Sequence, residues 1–252
     1  MRNIDVCLTP ELLHLYEVEG KVVVVVDILR ATSCMTTAIA HGVEKIIPVA
    51  TLEECERYKC KGYLTAAERD GMKADGFDLG NSPFSYMENS IAGKTLVVTT
   101  TNGTLAITKS EKAAQIIAGS FLNLSAVVNY LLEQPNDVLI LCAGWKGKVN
   151  LEDTLFAGAV VEALEKTFFS HNDAAMAALT LYKVAKKNIG AYLENSSHAR
   201  RLRNLNIKKD IEFCLKQNVY NVVPIMKNGA LVSLNIMETI PALVEVSNNG
   251  KF

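Results

Sequence analysis

The stretch Lys21 to Ser33, KVVVVVDILRATS, decides the fold. It is a β-branched run without polar alternation, then a turn, then a helical pattern. A strand that is apolar throughout has both faces covered, as in a mainly parallel sheet. The same unit recurs outward from it: EKIIPVA from Glu44, GKTLVVTT from Gly93, AAQIIAGS from Ala113 and NDVLILCAG from Asn136 all read as buried strands. Helical patterns separate them, at Ser33 to His41 closed by Gly42, Leu52 to Lys59 closed near Gly62, and Leu124 to Glu133 ahead of Pro135. Such alternation predicts an α/β fold, a three-layer α/β/α sandwich on a mainly parallel or mixed sheet.

Beyond residue 150 the texture changes. Leu151 to Lys166, Asp173 to Lys187 and Lys208 to Gln217 are helical patterns in succession, with no strand expected between them. VVPIMKNGALVSL from Val222 then predicts a C-terminal hairpin turning at Asn228-Gly229, the dipeptide a type I′ turn prefers. With no linker or repeat in sight, residues 1–252 read as one domain carrying a helical subregion at about 150–218.

Composition narrows the partners. The chain has 252 residues, 49% of them hydrophobic, with 26 Lys+Arg against 27 Asp+Glu for a net charge of -1. That balance argues against nucleic acid and acidic membranes and for a small-molecule partner. No apolar run approaches the roughly 20 residues of a membrane span, and the N-terminus has no signal-peptide pattern. The six cysteines form no C-x-x-C pair, so the cytoplasm, with reduced thiols, is the expected compartment. A homodimer is the expected assembly.

In open parallel sheets ligands sit beyond the carboxyl ends of strands, and polar residues load those positions here. Asp27 ends the valine run, with Arg30, Thr32 and Ser33 behind it. A carboxylate there suits Mg²⁺ and a guanidinium suits an anionic oxygen, against the plainer reading of a helix cap and an exposed Arg. AAERDGMKADGFDLGNSP, from Ala66 to Pro83, gathers Glu68, Arg69 and Asp70 in an irregular segment ending in a nest at Gly80-Asn81-Ser82. VVTTTNGT brings Thr101, Asn102, Gly103 and Thr104 to the start of a helical pattern, an anion site or a plain turn. Finally, Cys142 precedes Gly144, Lys146 and Lys148, and Glu152 with Asp153 opens the next helix. Those two acids suit the helix dipole or a metal, and Cys142 suits a small buried hydrophobe or a substrate-binding residue.

His14, His41, His171 and His198 form no ligand pair and read as structural or surface residues. The basic run Arg200, Arg201, Arg203, Lys208 and Lys209 reads as a solvated helix face. Phosphate-loop, dinucleotide and nucleophile-elbow fingerprints are missing. So are the cysteine-phosphatase Arg and the second Asp of an aspartyl phosphatase.

Taken together, DILRATS (Asp27 to Ser33), AERDG with GFDLGNSP (Ala67 to Pro83), TTTNGT (Thr99 to Thr104) and CAG with EDT (Cys142 to Thr154) resemble the 2-phosphosulfolactate phosphatase family, often called ComB. The resemblance runs from the first strand to the closing hairpin. It implies a Mg²⁺-dependent phosphatase of α/β architecture that releases phosphate from 2-phospho-3-sulfolactate on the route to coenzyme M, with tolerance for related 2-hydroxy acid phosphates. On that reading Asp27, Glu68, Glu152 and Asp153 hold Mg²⁺, and Arg30 and Arg69 clamp the small polyanionic substrate. Thr32, Ser33, Gly80, Asn81, Ser82, Thr101, Asn102, Gly103, Thr104 and Cys142 contact it. Asp27 has a second role open to it, as a phosphorylated nucleophile. The competing functions are a non-catalytic anion-binding regulatory domain and a Mg²⁺-dependent phosphotransferase.

Overall fold

The computed structural model describes residues 2–170, 172–194, 196–197, 200–201 and 207–235. His171, His198 and Arg203 lie outside them. The valine run forms β2 (Val22–Val26), with every residue buried. Val22, Val24 and Val26 enter one apolar core and Val23 and Val25 another, so each face of the strand is covered. Each such side chain contributes roughly 1.5 to 3 kcal/mol of burial, which is why no polar alternation is tolerated.

The other expected strands are present as β3 (Lys45–Pro48), β6 (Thr95–Thr99), β7 (Gln115–Gly119) and β8 (Val138–Cys142). Four further strands complete them: β1 (Arg2–Cys7), β4 (Leu64–Arg69), β5 (Met72–Lys73) and β9 (Phe168–Phe169). The segment from Ala66, read as irregular, thus opens in a strand whose small alanines carry little hydrophobic signal. The hairpin of β10 (Val222–Lys227) and β11 (Ala230–Asn235) turns at Asn228 (φ 50) and Gly229 (φ 78), as the dipeptide predicts.

Among the described residues the strand order is β5-β4-β6-β3-β11-β10-β7-β2-β8-β1-β9. β7, β2, β8, β1 and β9 are parallel neighbours, as are β3, β6 and β4. The hairpin lies between the two blocks, antiparallel to β7 on one side and to β3 on the other. These antiparallel steps reverse the chain direction, so β3, β6 and β4 run opposite to β2. An open flat sheet would then send the polar ends of β2 and β6 to opposite edges.

They meet because the sheet curls. Twist of roughly 20 to 25° per strand accumulates to about 100 to 125° over the five steps from β6 to β2. Helix α1 (Ala31–Ala40) sits inside the curl. Its Cys34, Met35 and Ala38 share one core with Val23 and Val25 of β2, Ala66 of β4, Leu96 of β6 and Leu231 of β11, as do Ala106 and Ile107 of α3 (Gly103–Lys109).

On the opposite face pack α4 (Leu124–Glu133), α5 (Leu151–Leu164) and α6 (Asp173–Ala185). α2 (Leu52–Lys59) covers a smaller cluster of Val49, Cys55 and Val97. α5 and α6 approach so closely at Gly158 that an added Cβ would lie 2.1 Å from Ala178 O. α5 therefore enters the core along its whole length, carrying its acidic first turn with it. β9 interrupts the helical succession after α5, and α7 (Ile189–Leu193) and α8 (Lys208–Cys214) follow. No helix of the described residues is long and apolar enough to cross a membrane.

Candidate active site

Asp27 leaves β2 into a turn closed by its own neighbours. Thr32 Oγ1 accepts from Asp27 N at 3.0 Å and donates to Gly119 O at 2.7 Å. Ser33 Oγ donates to Ile28 O at 2.8 Å, and Ala31 N donates to Asp27 Oδ1 at 3.3 Å. Thr32 and Ser33 are fully buried, so their hydroxyls shape the loop that presents Asp27. Gly103, from the far side of the curl, lies against this carboxylate: a Cβ there would be 2.6 Å from Ala31 Cβ and 3.0 Å from Asp27 Oδ2.

The first turn of α5 supplies two more acids. Asn150 caps that helix, its Oδ1 accepting from Asp153 N at 3.2 Å. Asp153 then accepts from Ile28 N (2.8 Å) and from Gly144 N (3.1 Å), tying the ends of β2 and β8 to α5. Gly144 has φ 60, and a side chain there would meet Lys148 O at 2.4 Å, so only glycine fits the tight turn. Relative exposure is 7% for Asp27 and 0% for both Glu152 and Asp153. Burial, reinforced by the charges of Asp27 and Glu152, pushes the Asp153 carboxyl well above the usual carboxylate range.

A third group comes from β4. Glu68 accepts from Gly71 N (2.5 Å) and from Thr101 N (3.2 Å), stapling the Asp70-Gly71 turn to the loop after β6. Arg69 donates to Glu68 O (2.6 Å) and to Thr99 Oγ1 (3.1 Å). Within the β6 loop, Thr100 and Thr104 exchange amide-to-hydroxyl hydrogen bonds at 3.2 Å in each direction. Asn102 Oδ1 accepts from Lys146 N at 3.1 Å, and Lys146 Nζ pairs with Asp70 at 2.6 Å. Thr101 to Thr104 thus stand next to Asp27 in a self-braced loop.

Arg30 faces the other side of the Asp70-Gly71 turn. It donates to Gly71 O at 2.5 Å and forms a buried salt bridge with Asp210 of α8, whose other oxygen accepts from Ser82 Oγ at 2.9 Å. Together with Gly80 and Asn81 these residues line a cleft of about 630 Å³. Gly71 is the hinge between the two groups, bonded through its N–H to Glu68 and through its carbonyl to Arg30. A larger open cleft of about 840 Å³ between residues 10–19 and Lys109 contains none of these side chains, and its volume carries no chemistry.

Cys142 is fully buried in the apolar core, and burial pushes its thiol pKa well up. All six cysteines are free thiols. Sequence reasoning passed over three participants. Asp210 hides beside Lys208 and Lys209 in what reads as a basic face. Trp145, the one tryptophan of the chain, follows the Gly144 turn after β8 without any motif of its own. Arg201, read as part of a solvated face, instead brings its guanidinium carbon to 3.9 Å from the Trp145 ring centroid. An acid within a basic run and an isolated aromatic at a strand end were the available signals.

The donor set near Asp27 is all carboxylate oxygen, which suits a hard divalent cation. Among the described residues, no group of three or more His, Cys, Asp or Glu side chains is arranged to hold a metal. Mg²⁺ does not require one, since it is commonly held by one or two carboxylates plus water and substrate phosphate. Glu68 is committed to two amides, and Asp153 is fixed by two more. Asp27, Glu152 and Asp153, buried beside one another, are the acids from which such an ion would draw its ligands.

An α/β fold that converges buried carboxylates, arginines and hydroxyl-rich loops at strand ends defines an enzyme class that handles small anions. The sequence profile of the 2-phosphosulpholactate phosphatase family matches residues 7–229. A protein of Thermotoga petrophila named probable 2-phosphosulfolactate phosphatase is 44% identical over 215 residues, 85% of this chain and 93% of the relative. Proteins with the same name from Caldanaerobacter subterraneus and Clostridium acetobutylicum are 41% identical over 218 residues and 37% identical over 236 residues. They cover 84% and 91% of this chain, and 90% and 100% of their own lengths. The chain belongs to the 2-phosphosulpholactate phosphatase family, a family of phosphoric monoester hydrolases.

Proposed function

We propose that this protein is a Mg²⁺-dependent phosphatase that hydrolyses 2-phospho-3-sulfolactate to 3-sulfolactate and phosphate, the type of step used in coenzyme M biosynthesis, in the cytoplasm. The observation that carries the reading is the burial of Asp27, Glu152 and Asp153 beside one another. Three carboxylates buried this close repel one another, and a cation with a bound phosphate ester offsets that repulsion.

Asp27, Glu152 and Asp153 would supply the ion's ligands. When bound, Mg²⁺ supplies positive charge for phosphate oxygens and positions water. Asp153, anchored by the Ile28 and Gly144 amides, fixes the β2 and β8 loops around it. Gly103 keeps its side free of a Cβ, so Asp27 Oδ2 and the β6 loop stay in contact. Thr101 and Asn102 would present hydroxyl and amide groups to the ester and Arg69 its guanidinium, while Thr104, whose amide and hydroxyl both bond Thr100, holds the loop in shape. Arg30, neutralised by Asp210, acts through Gly71 and positions the turn that carries Glu68. In hydrolysis the bond between phosphorus and the C2 oxygen breaks, water oxygen joins phosphorus, and the C2 oxygen leaves with the electron pair and gains a proton.

Phosphate release from 2-phospho-3-sulfolactate, with Mg²⁺ and with EDTA, tests this reading. Release that EDTA abolishes and Asp27→Asn lowers at least 100-fold is the expected result. No release from any 2-phospho acid in excess Mg²⁺ would point to an anion-binding domain, and capture of the phosphoryl group by an added alcohol would point to a transferase. Quench-flow decides the role of Asp27, because a trapped base-labile phosphoprotein makes it the nucleophile.

A further inference from the structure

Arg201 approaches the same site from a part of the chain that the catalytic loops do not include. Its guanidinium lies over Trp145, three residues after the end of β8 at Cys142, with the guanidinium carbon 3.9 Å from the ring centroid. Lys146 Nζ lies 5.4 Å from the same centroid and pairs with Asp70. Among the described residues, Nε and Nη2 of Arg201 are buried and have no hydrogen-bond partner.

Those two nitrogens are not an arbitrary pair. Their N–H bonds point the same way and form the side-on fork with which arginine grips two oxygens of one oxyanion. Leaving a charged fork buried and unanswered costs more than leaving a neutral donor so. Burial lowers the basicity of this guanidinium, while the charges of Glu152 and Asp70 raise it. Glu152 is fully buried in the acidic cluster and the Asp70 carboxylate is largely exposed, so Arg201 spans from the cluster to the rim.

We propose that the Nε/Nη2 fork of Arg201, braced by Trp145, binds an anionic group of the substrate that is not transferred, its carboxylate or its sulfonate. Arg201 is then a specificity-determining residue, and the substrates it favours are phosphate esters bearing a second acid group. The inference rests on the phosphatase reading for its substrate, but not for its test.

The chain has a single tryptophan beside eight tyrosines, so fluorescence excited at the red edge of the absorption, where tyrosine does not absorb, reports on Trp145 alone. Titration of the unaltered protein with 3-sulfolactate is expected to change that fluorescence saturably. Arg201→Ala should weaken the binding on the order of 10- to 100-fold, the range of a charged hydrogen-bonded pair. Arg201→Lys, which keeps charge but lacks the fork, should recover only part of it. In turnover the loss should fall mainly on KM, with kcat changing far less.

Two truncated esters separate the sources. If Arg201→Ala loses its effect with 2-phospholactate, the sulfonate is the ligand; if it loses its effect with the ester lacking the carboxylate, the carboxylate is. An unaltered protein that releases no phosphate but whose Trp145 signal still depends on Arg201 sinks the phosphatase reading and leaves this one standing. Equal binding by wild type and Arg201→Ala, with melting temperatures confirming that both are folded, overturns the proposal. So does a loss confined to kcat on every ester, which would place Arg201 on the phosphoryl group.

Discussion

Gly103→Ala sets two physical effects of opposite sign against each other. Gly103 is the first residue of α3 and its φ lies outside the left-handed region, so alanine can adopt its backbone. On chain entropy alone the change should stabilise the fold by about 0.4 to 1 kcal/mol. Packing opposes it. The new methyl would stand 2.6 Å from Ala31 Cβ, 3.0 Å from Asp27 Oδ2 and 3.2 Å from Thr100 Oγ1. Carbon atoms rest at roughly 3.5 to 4.0 Å, so α3 and the Asp27 turn must separate by about 1 Å. Overpacking of that order costs about 1 to 3 kcal/mol and wins. The net, about 1.3 kcal/mol at the middle of the two ranges, lowers Tm by about 3 to 5 °C in a chain of this size. The larger effect is on turnover: displacing Asp27 by about 1 Å should lower kcat/KM by on the order of 100-fold. Calorimetry and phosphate release read the two effects. Gly190→Ala is the control, because its Cβ would meet nothing closer than Asn188 Oδ1 at 3.7 Å, and it should stabilise slightly. A Gly103→Ala protein with unchanged or raised Tm and full activity would refute the claim that the β6 loop and the β2 turn are in forced contact.

Asp210→Ala leaves the Arg30 guanidinium buried without its carboxylate and should cost about 3 to 5 kcal/mol, read as a lower urea midpoint. Saturating Mg²⁺ should raise Tm by about 5 to 11 °C, since binding at 100 times Kd is worth about 2.7 kcal/mol, and Asp27→Asn should abolish most of that shift. Hydrogen bonds from Asn3 N and Asn3 Nδ2 lower the pKa of Asp137, so its contribution is present above the usual carboxylate range and lost as pH falls through the lower folded value. Asp137→Asn should therefore be less stable than wild type at pH 7, and the difference should shrink in acid as the wild-type carboxylate becomes protonated, read by chemical denaturation. Glu68→Gln, which leaves one of the two amide contacts facing an NH₂ group, should loosen the Asp70-Gly71 turn and speed hydrogen exchange at Gly71 and Thr101.

What the sequence determined by itself was local. Runs such as Val22 to Val26 can only be strands covered on both faces, and Asn228-Gly229 can only favour a tight hairpin. The polar residues after each strand marked where chemistry would gather, and the motifs they form named the family. β4 escaped because alanines and charges carry no apolar signal. Tertiary structure decided how the strand ends meet. The hairpin's insertion between β7 and β3 reverses half of the sheet, and only accumulated twist around α1 returns Gly103 to Asp27. It also decided which charges answer which. Arg30 was legible as a cation, but its partner Asp210 lies 180 residues away. Arg201 read as solvated until folding laid it on Trp145. Spacing along the chain encodes helix faces and strand alternation, whereas contacts between distant segments depend on how the sheet curls and the helices dock.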